Sequence, residues 1–146
     1  MKTVHKSVLL WFSADEMFAL VTDVARYPEF LPWCDTASVL SQTETTMEAQ
    51  IGIAFSGIRQ TFETHNEHVP GREVNIKLVN GPFSQLDGQW KFSPVGEPQE
   101  RACKVELFLT YGFENAALRT LVGPVFDKIA GSLVDAFVKR AEVVHG

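Results

Sequence analysis

Few residues in this 146-residue chain are of types that do chemistry, so their spacing is weighed first. His65 and His68 stand three apart in "HNEH". Imidazoles hold a metal only when three or four ligands converge on one point. On a strand, positions i and i+3 face opposite ways, so the pair reads as exposed histidines at a strand end, and no metal site is expected. His5 and His145 lie near the termini and add nothing. Cys34 and Cys103 are the only cysteines, far apart and with no secretory signal before them. Both read as reduced thiols and small buried hydrophobes. No serine elbow, Cys/His pairing or Gly-rich phosphate loop is present. An acid or base acting on a carbonyl would have to face an internal pocket. By parity, Asp87, Lys91, Lys104 and Glu106 fall on the polar side of their strands, so no catalytic residue is assigned. Trp90 and Tyr111 differ: each joins a donor to an apolar body, on the apolar parity of its strand. They are the expected polar handles of a binding pocket.

The bulk properties exclude other classes. Net charge is −5, which argues against binding nucleic acid through phosphates; no specific DNA contact is expected. No apolar run of about 18 residues is present to span a membrane. "MKTVHKSVLLWF" lacks a small-residue cleavage site and runs into a helix cap, so it reads as a strand rather than a signal peptide. A cytoplasmic protein, at most peripheral to a membrane, is the expectation. One domain over 1–146 is expected from the length.

Periodicity defines the elements that must position the pocket. Ser13 and Glu16 make a capping box, with Phe12 and Met17 as its hydrophobic staple, so a helix starts near residue 14. Pro28 and Pro32 leave room for only a short second helical turn near 26–31. From 34 to 114 the period is two. Met47, Ala49, Ile51, Ile53 and Phe55 share one face, and Ser56-Gly57 is a hairpin turn. Strands are expected near 2–11, 35–43, 46–56, 58–68, 72–79, 84–94 and 102–114, all antiparallel, with a polar loop over 93–101. A long helix is expected near 116–143. Its apolar stripe takes in Leu118, Leu121, Val122, Val125, Phe126, Ile129, Leu133, Phe137 and Ala141. Pro124 lies inside that stripe and predicts a kink or restart.

A helix of about 25 residues spans roughly 37 Å, and a ten-residue strand about 33 Å. The helix can therefore lie along a curled sheet without filling all the volume beneath it. The stretch "DVARYPEFLPWCD" crowds Tyr27, Phe30, Leu31 and Trp33 between and beside two prolines. This loop either caps the core or gates a pocket at the open end of the helix–sheet gap. On the second reading Met47, Ile51, Ile53, Phe55, Trp90 and Tyr111 form the sheet wall. Phe126, Ile129, Leu133 and Phe137 form the helix wall, and Phe30, Leu31 and Trp33 the mouth. Trp33 and Tyr27 would also suit brief contact with a membrane surface.

The segments "DVARYPEFLPWC", "GPFSQLDGQWKF" and "GPVFDKIAGSLVDAFVKRAE" resemble the START-like superfamily of lipid-transport proteins and polyketide cyclases. They are most similar to its branch of coenzyme Q-binding proteins and ribosome association toxins. The resemblance implies an α+β helix-grip fold, as in START and Bet v-like proteins. In that fold a curved antiparallel sheet of about seven strands wraps a long C-terminal helix, with two short helices after the first strand. It implies a cavity for a hydrophobic small molecule, ubiquinone or a similar isoprenoid, bound without chemistry in support of respiration, and no required cofactor. The same resemblance implies two other functions. One is a toxin of a toxin–antitoxin pair that blocks ribosomal subunit association, with the large subunit as partner; the other is an oligoketide cyclase.

Overall fold

The computed structural model describes residues 1–97 and 99–146. Pro98, in the polar loop expected over 93–101, lies outside the described residues. The chain runs β1 (Lys2–Leu10), α1 (Ala14–Thr22), a 3₁₀ turn (Val24–Glu29), β2 (Cys34–Gln42), β3 (Thr46–Phe55), β4 (Ile58–Val69), β5 (Glu73–Asn80), β6 (Phe83–Pro94), β7 (Cys103–Phe113) and α2 (Ala116–Val144). The strands form one sheet in the order β1-β7-β6-β5-β4-β3-β2, and every pair is antiparallel. This is the expected helix-grip arrangement, with each strand and the long helix ending within one residue of its predicted bounds.

The sheet curls because three of its strands are bulged. Register shifts interrupt β2 at Cys34/Thr36 and Val39/Ser41, β5 at Leu78/Asn80 and β6 at Phe83/Gln85. Each extra residue bends its strand and adds twist. The first bulge presses on β3 at Gly52, where a Cβ would collide with the side chains of Thr36 and Asp35. The β3–β4 hairpin turns through Ser56 at φ 51° and Gly57 at φ 79°, the pair of positive angles that a two-residue turn of this hand requires.

The capping box is formed. The Ser13 hydroxyl accepts from the Glu16 backbone N–H at 3.0 Å, and the Ser13 N–H donates to Glu16 Oε1 at 2.9 Å. Arg101 then grips the same carboxylate with two bonds of 2.6 Å, donates to the His145 carbonyl and lies over the Phe12 ring. One cap thereby ties the start of α1 to the loop before β7 and the end of α2.

Two expectations change. The second helical turn is a 3₁₀ turn over Val24–Glu29, two residues earlier than expected. The Tyr27 carbonyl accepts from both Phe30 and Leu31 and closes it. The long helix does not restart at Pro124: Ala116–Val144 is continuous. Pro124 is on the exposed side, between buried Gly123 and Val125. The Thr120 carbonyl left without a helical donor therefore faces water, which satisfies it. For the same reason Leu121 leaves the predicted stripe; it is 60 % exposed.

The Arg101 hydrogen bonds hold the Glu16 carboxyl down to about 2 from its usual 4.5. A carboxyl lowered in the folded chain contributes stability that is whole above its unfolded value and lost as pH falls through its folded one. Acid unfolding curves should therefore steepen between about pH 4.5 and 2 in the wild type. Glu16→Gln should be less stable than wild type at pH 7, with the two converging near pH 2 in thermal melts.

Candidate functional site

α2 faces the concave side of the sheet and inserts two large rings, Phe126 and Phe137. Phe126 stacks edge-on with Phe83 at 4.9 Å and with Tyr111 at 4.7 Å. Phe137 meets Tyr27, Phe30 and Trp90 at 5.3–5.4 Å. Each ring anchors one of two buried clusters that make up the core. Between the rings the helix carries Ile129, Ala130 and Leu133, which reach less far. The space left there is a cavity of about 110 Å³.

The structure places Tyr27, Trp33, Ile51, Trp90, Phe126, Ile129, Leu133 and Phe137 in the cavity wall, as expected of a helix–sheet pocket. It does not bring the other predicted residues there. Met47 and Ile53 have the correct parity but pack solidly to either side of the gap, 2 % and 1 % exposed. The gap opens beside Ala49, whose side chain is small. Phe55 ends its strand beyond the cavity, and Phe62, directly across from Ile51 on β4, takes the place expected of it. Leu31 is buried under its own loop at 1 % exposure. Phe30 packs on Phe137 outside the cavity, beneath the Arg140 guanidinium, which lies 4.9 Å from its ring centre. Tyr111 is no handle for a ligand: its hydroxyl donates to Asp127 at 2.5 Å, on the far side of Phe126. Burial raises the Asp127 carboxyl, but the bonds from Lys2 and Tyr111 outweigh it and leave the group below its ordinary value.

The loop after α1 is built as a wall. Tyr27 donates its hydroxyl to the Val21 carbonyl. Burial pushes that phenol well above its ordinary pKa, so the bond persists at any physiological pH. The Trp33 carbonyl accepts from Ala54 at 2.8 Å. Outside, Glu29 pairs with Arg140 at 3.0 Å. Trp33 lines the cavity on one side and, on the other, an open groove of about 520 Å³ between the loop and α2. Its indole is the partition between inside and outside.

Apart from Tyr27 and the two tryptophans, the polar side chains of the wall come from β4. Thr64, Asn66 and His68 alternate with Phe62 on the inner face and are buried. Thr64 and Asn66 line the cavity. His68 continues the row, edge-on to Phe18 at 5.7 Å. This corrects the reading of His68 as an exposed strand-end residue; desolvation lowers its pKa and keeps the ring neutral. His65 does face outward, with Nδ1 at 2.6 Å from Glu48. The row was legible: carrying the two-residue period on from Phe62 puts 64, 66 and 68 on the inner face. Ala49, Leu86, Leu109 and Val24, which also line the cavity, needed the sheet's register to be found. Among the described residues, no Asp, Glu, Lys, Arg or His side chain lines the cavity. Cys34 and Cys103 are free and buried, and burial pushes both thiols up to about 11, so neither is a ready nucleophile. Among the described residues no helix is long and apolar enough to cross a membrane.

A curved antiparallel sheet wrapped around a long C-terminal helix, with a small apolar cavity between them, defines the helix-grip fold. Residues 11–138 match the family described as polyketide cyclase / dehydrase and lipid transport, and the chain belongs to that family. It is 44 % identical over 146 residues to the ribosome association toxin RatA of Vibrio cholerae, covering 100 % of this chain and 99 % of that one. It is 27 % identical to the mitochondrial coenzyme Q-binding protein COQ10 homolog B of Xenopus laevis, over 97 % of this chain and 58 % of that one. The solution structure of an 18 kDa Caulobacter crescentus protein superposes with a TM-score of 0.75 at 30 % identity, covering 100 % of this chain and 99 % of that one. The Zhui aromatase/cyclase of a Streptomyces species superposes with a TM-score of 0.83 at 15 % identity, over 97 % and 93 % of the two chains, and so shares the fold.

The two kinds of wall residue should respond differently to truncation. Phe126→Ala leaves an enclosed void and should cost about 3–5 kcal/mol in urea unfolding. Trp33→Ala should cost less, since the space it leaves joins the outer groove and fills with water. It should also speed the exchange of an environment-sensitive apolar dye into the cavity.

Proposed function

We propose that this protein binds a hydrophobic ligand with a ring-shaped polar head, such as a quinone with an isoprenoid tail, and carries it without chemistry. The observation that supports this best is the apolar cavity behind Trp33, whose wall has neutral polar groups and no charged side chain. General acid–base work needs a titratable group within hydrogen-bond reach of the reacting atom. The cavity offers only Tyr27, whose hydroxyl is committed to Val21. That argues for a carrier over a cyclase.

The size of the cavity bears on how a ligand sits. Drug-sized ligands occupy pockets of roughly 300–1,000 Å³, and the closed cavity is about 110 Å³. A dry cavity of about 150 Å³ accepts a benzene-sized ring, so the interior would have to widen to take even the head, and a long tail would stay outside. With the Trp33 indole swung aside, the tail would run into the outer groove. That groove is apolar at Phe30, Pro32 and Val143 and rimmed by Glu29, Asp135, Lys139 and Arg140. The same movement would expose the loop's aromatic residues for brief contact with a membrane surface.

End-to-end identity of 44 % with a ribosome association toxin favours a second activity, interference with ribosomal subunit association. Net charge of −5 makes a ribosomal protein surface a better target than bare RNA. Sucrose-gradient analysis of purified subunits with the apo and the lipid-loaded protein tests it; a toxin lowers the associated fraction.

Solvent extraction of protein purified from its native source, followed by mass spectrometry, should release an isoprenoid quinone or a related ring-headed lipid. Gly88 sits on the inner face among Ile76, Leu86, Trp90 and Leu109, and a Cβ there would meet Leu109 and Ile76 at 3.4–3.5 Å, ordinary contact. Gly88→Val should therefore fold and carry much less of that lipid. Extraction that yields no lipid from any source would remove the carrier reading.

A further inference from the structure

The polar row on β4 has a property that the rest of the core lacks. Asn66 is 6 % exposed, and its Oδ1 is buried without a hydrogen-bond partner among the described residues. Its neighbours across the sheet are Met47 on β3 and Ile76 on β5. Both are apolar, so turning the amide over gives the oxygen no partner there. Thr64, one pair along, is also buried, and is flanked by Ala49 and Leu78. An unpaired buried acceptor is costly, typically about 1–3 kcal/mol. Leucine, of nearly the same shape, would avoid that cost. Asn66 lines the cavity; the oxygen itself is covered in the closed state, and a turn of the amide about its last bond brings it to the cavity, where an entering donor can satisfy it.

Resting on the proposed carrier function, we infer that the cavity selects a head group that donates a hydrogen bond, a phenol or hydroquinone, over the carbonyl-only quinone. A quinone oxygen is an acceptor alone. It can take the Asn66 amide N–H, but it leaves Oδ1 unpaired. A ring hydroxyl donates to Oδ1 and has lone pairs left for the amide or for Thr64. The difference is one buried hydrogen bond, which corresponds to about tenfold in affinity. The polar atom is thus a specificity element of the site, held at the expense of the empty fold.

The test is equilibrium binding under anaerobic conditions with three probes: a short-tailed para-benzoquinone, its hydroquinone, and the dimethyl ether of that hydroquinone. Wild type should bind the hydroquinone about tenfold tighter than either of the others. Asn66→Leu and Asn66→Ala should bring the three affinities together. Without ligand, Asn66→Leu should melt higher than wild type, because it removes an unpaired buried oxygen. If wild type binds all three probes alike, the donor preference is wrong and the carrier reading stands. If it binds none, the carrier reading falls and takes this inference with it. If Asn66→Leu melts lower, with wild-type affinities alike, a resident water serves Oδ1 and Asn66 is structural, which overturns the inference.

Discussion

The spacing of Phe126 and Phe137 on α2 controls the rest of the interior. Eleven residues are three turns of helix, so both rings project from one face, about 16 Å apart. Each wedges into the concave sheet and gathers its own cluster: Phe83 and Tyr111 at one end, Tyr27, Phe30 and Trp90 at the other. The rings hold helix and sheet apart by the thickness of an aromatic side chain. The shorter residues between them then cannot reach across. The cavity is the consequence of that geometry, and the bulges in β2, β5 and β6 supply the curvature that closes it.

Among the described residues, the loop between α1 and β2 is the only part of the wall made from irregular backbone. Its hold on the body is mixed. Tyr27–Val21 and Trp33–Ala54 are hydrogen bonds inside the fold. Glu29–Arg140 is an ion pair whose carboxylate is 48 % exposed, and such pairs contribute at most about 1 kcal/mol. The Trp33 indole is therefore fixed at its backbone and only lightly fastened on its outer side. A wall of that kind can seal an apolar cavity and still let a ligand pass.

Membership of a family that includes cyclases and lipid carriers does not choose between them; the chemistry of the wall is what supports the proposed carrier reading. Its inner surface is apolar except for one strand, and that strand carries neutral groups. His68, the titratable member of the row, lies off the cavity and is kept neutral by burial. A site with hydrogen-bonding capacity and no charge is suited to recognising a polar ring while leaving it unchanged.

Element order, strand bounds and the helix cap were legible in the sequence because they depend on local chemistry. Ser13 and Glu16 lie three residues apart, Ser56-Gly57 can take two positive angles, and a two-residue period persists through the six strands from 34 to 114. The inner face of each strand and of α2 was legible from its period, which is why Ile51, Trp90, Phe126 and Phe137 were expected to face inward. Parity says which side a residue faces and says nothing of how far along the helix it lies. Met47, Ile53 and Tyr111 face inward as expected and still miss the cavity, because the gap is only as long as the interval between two phenylalanines. Ala49 and Leu109 border it through registers that join strands distant in the chain. Pro124 shows the same division: its missing N–H is a property of the residue, but whether the helix breaks depended on which side of α2 met water. Sequence alone determined the elements and their faces. The tertiary structure decided which buried residues touch one another and which touch empty space, since that depends on the distance between helix and sheet, and no local pattern encodes it.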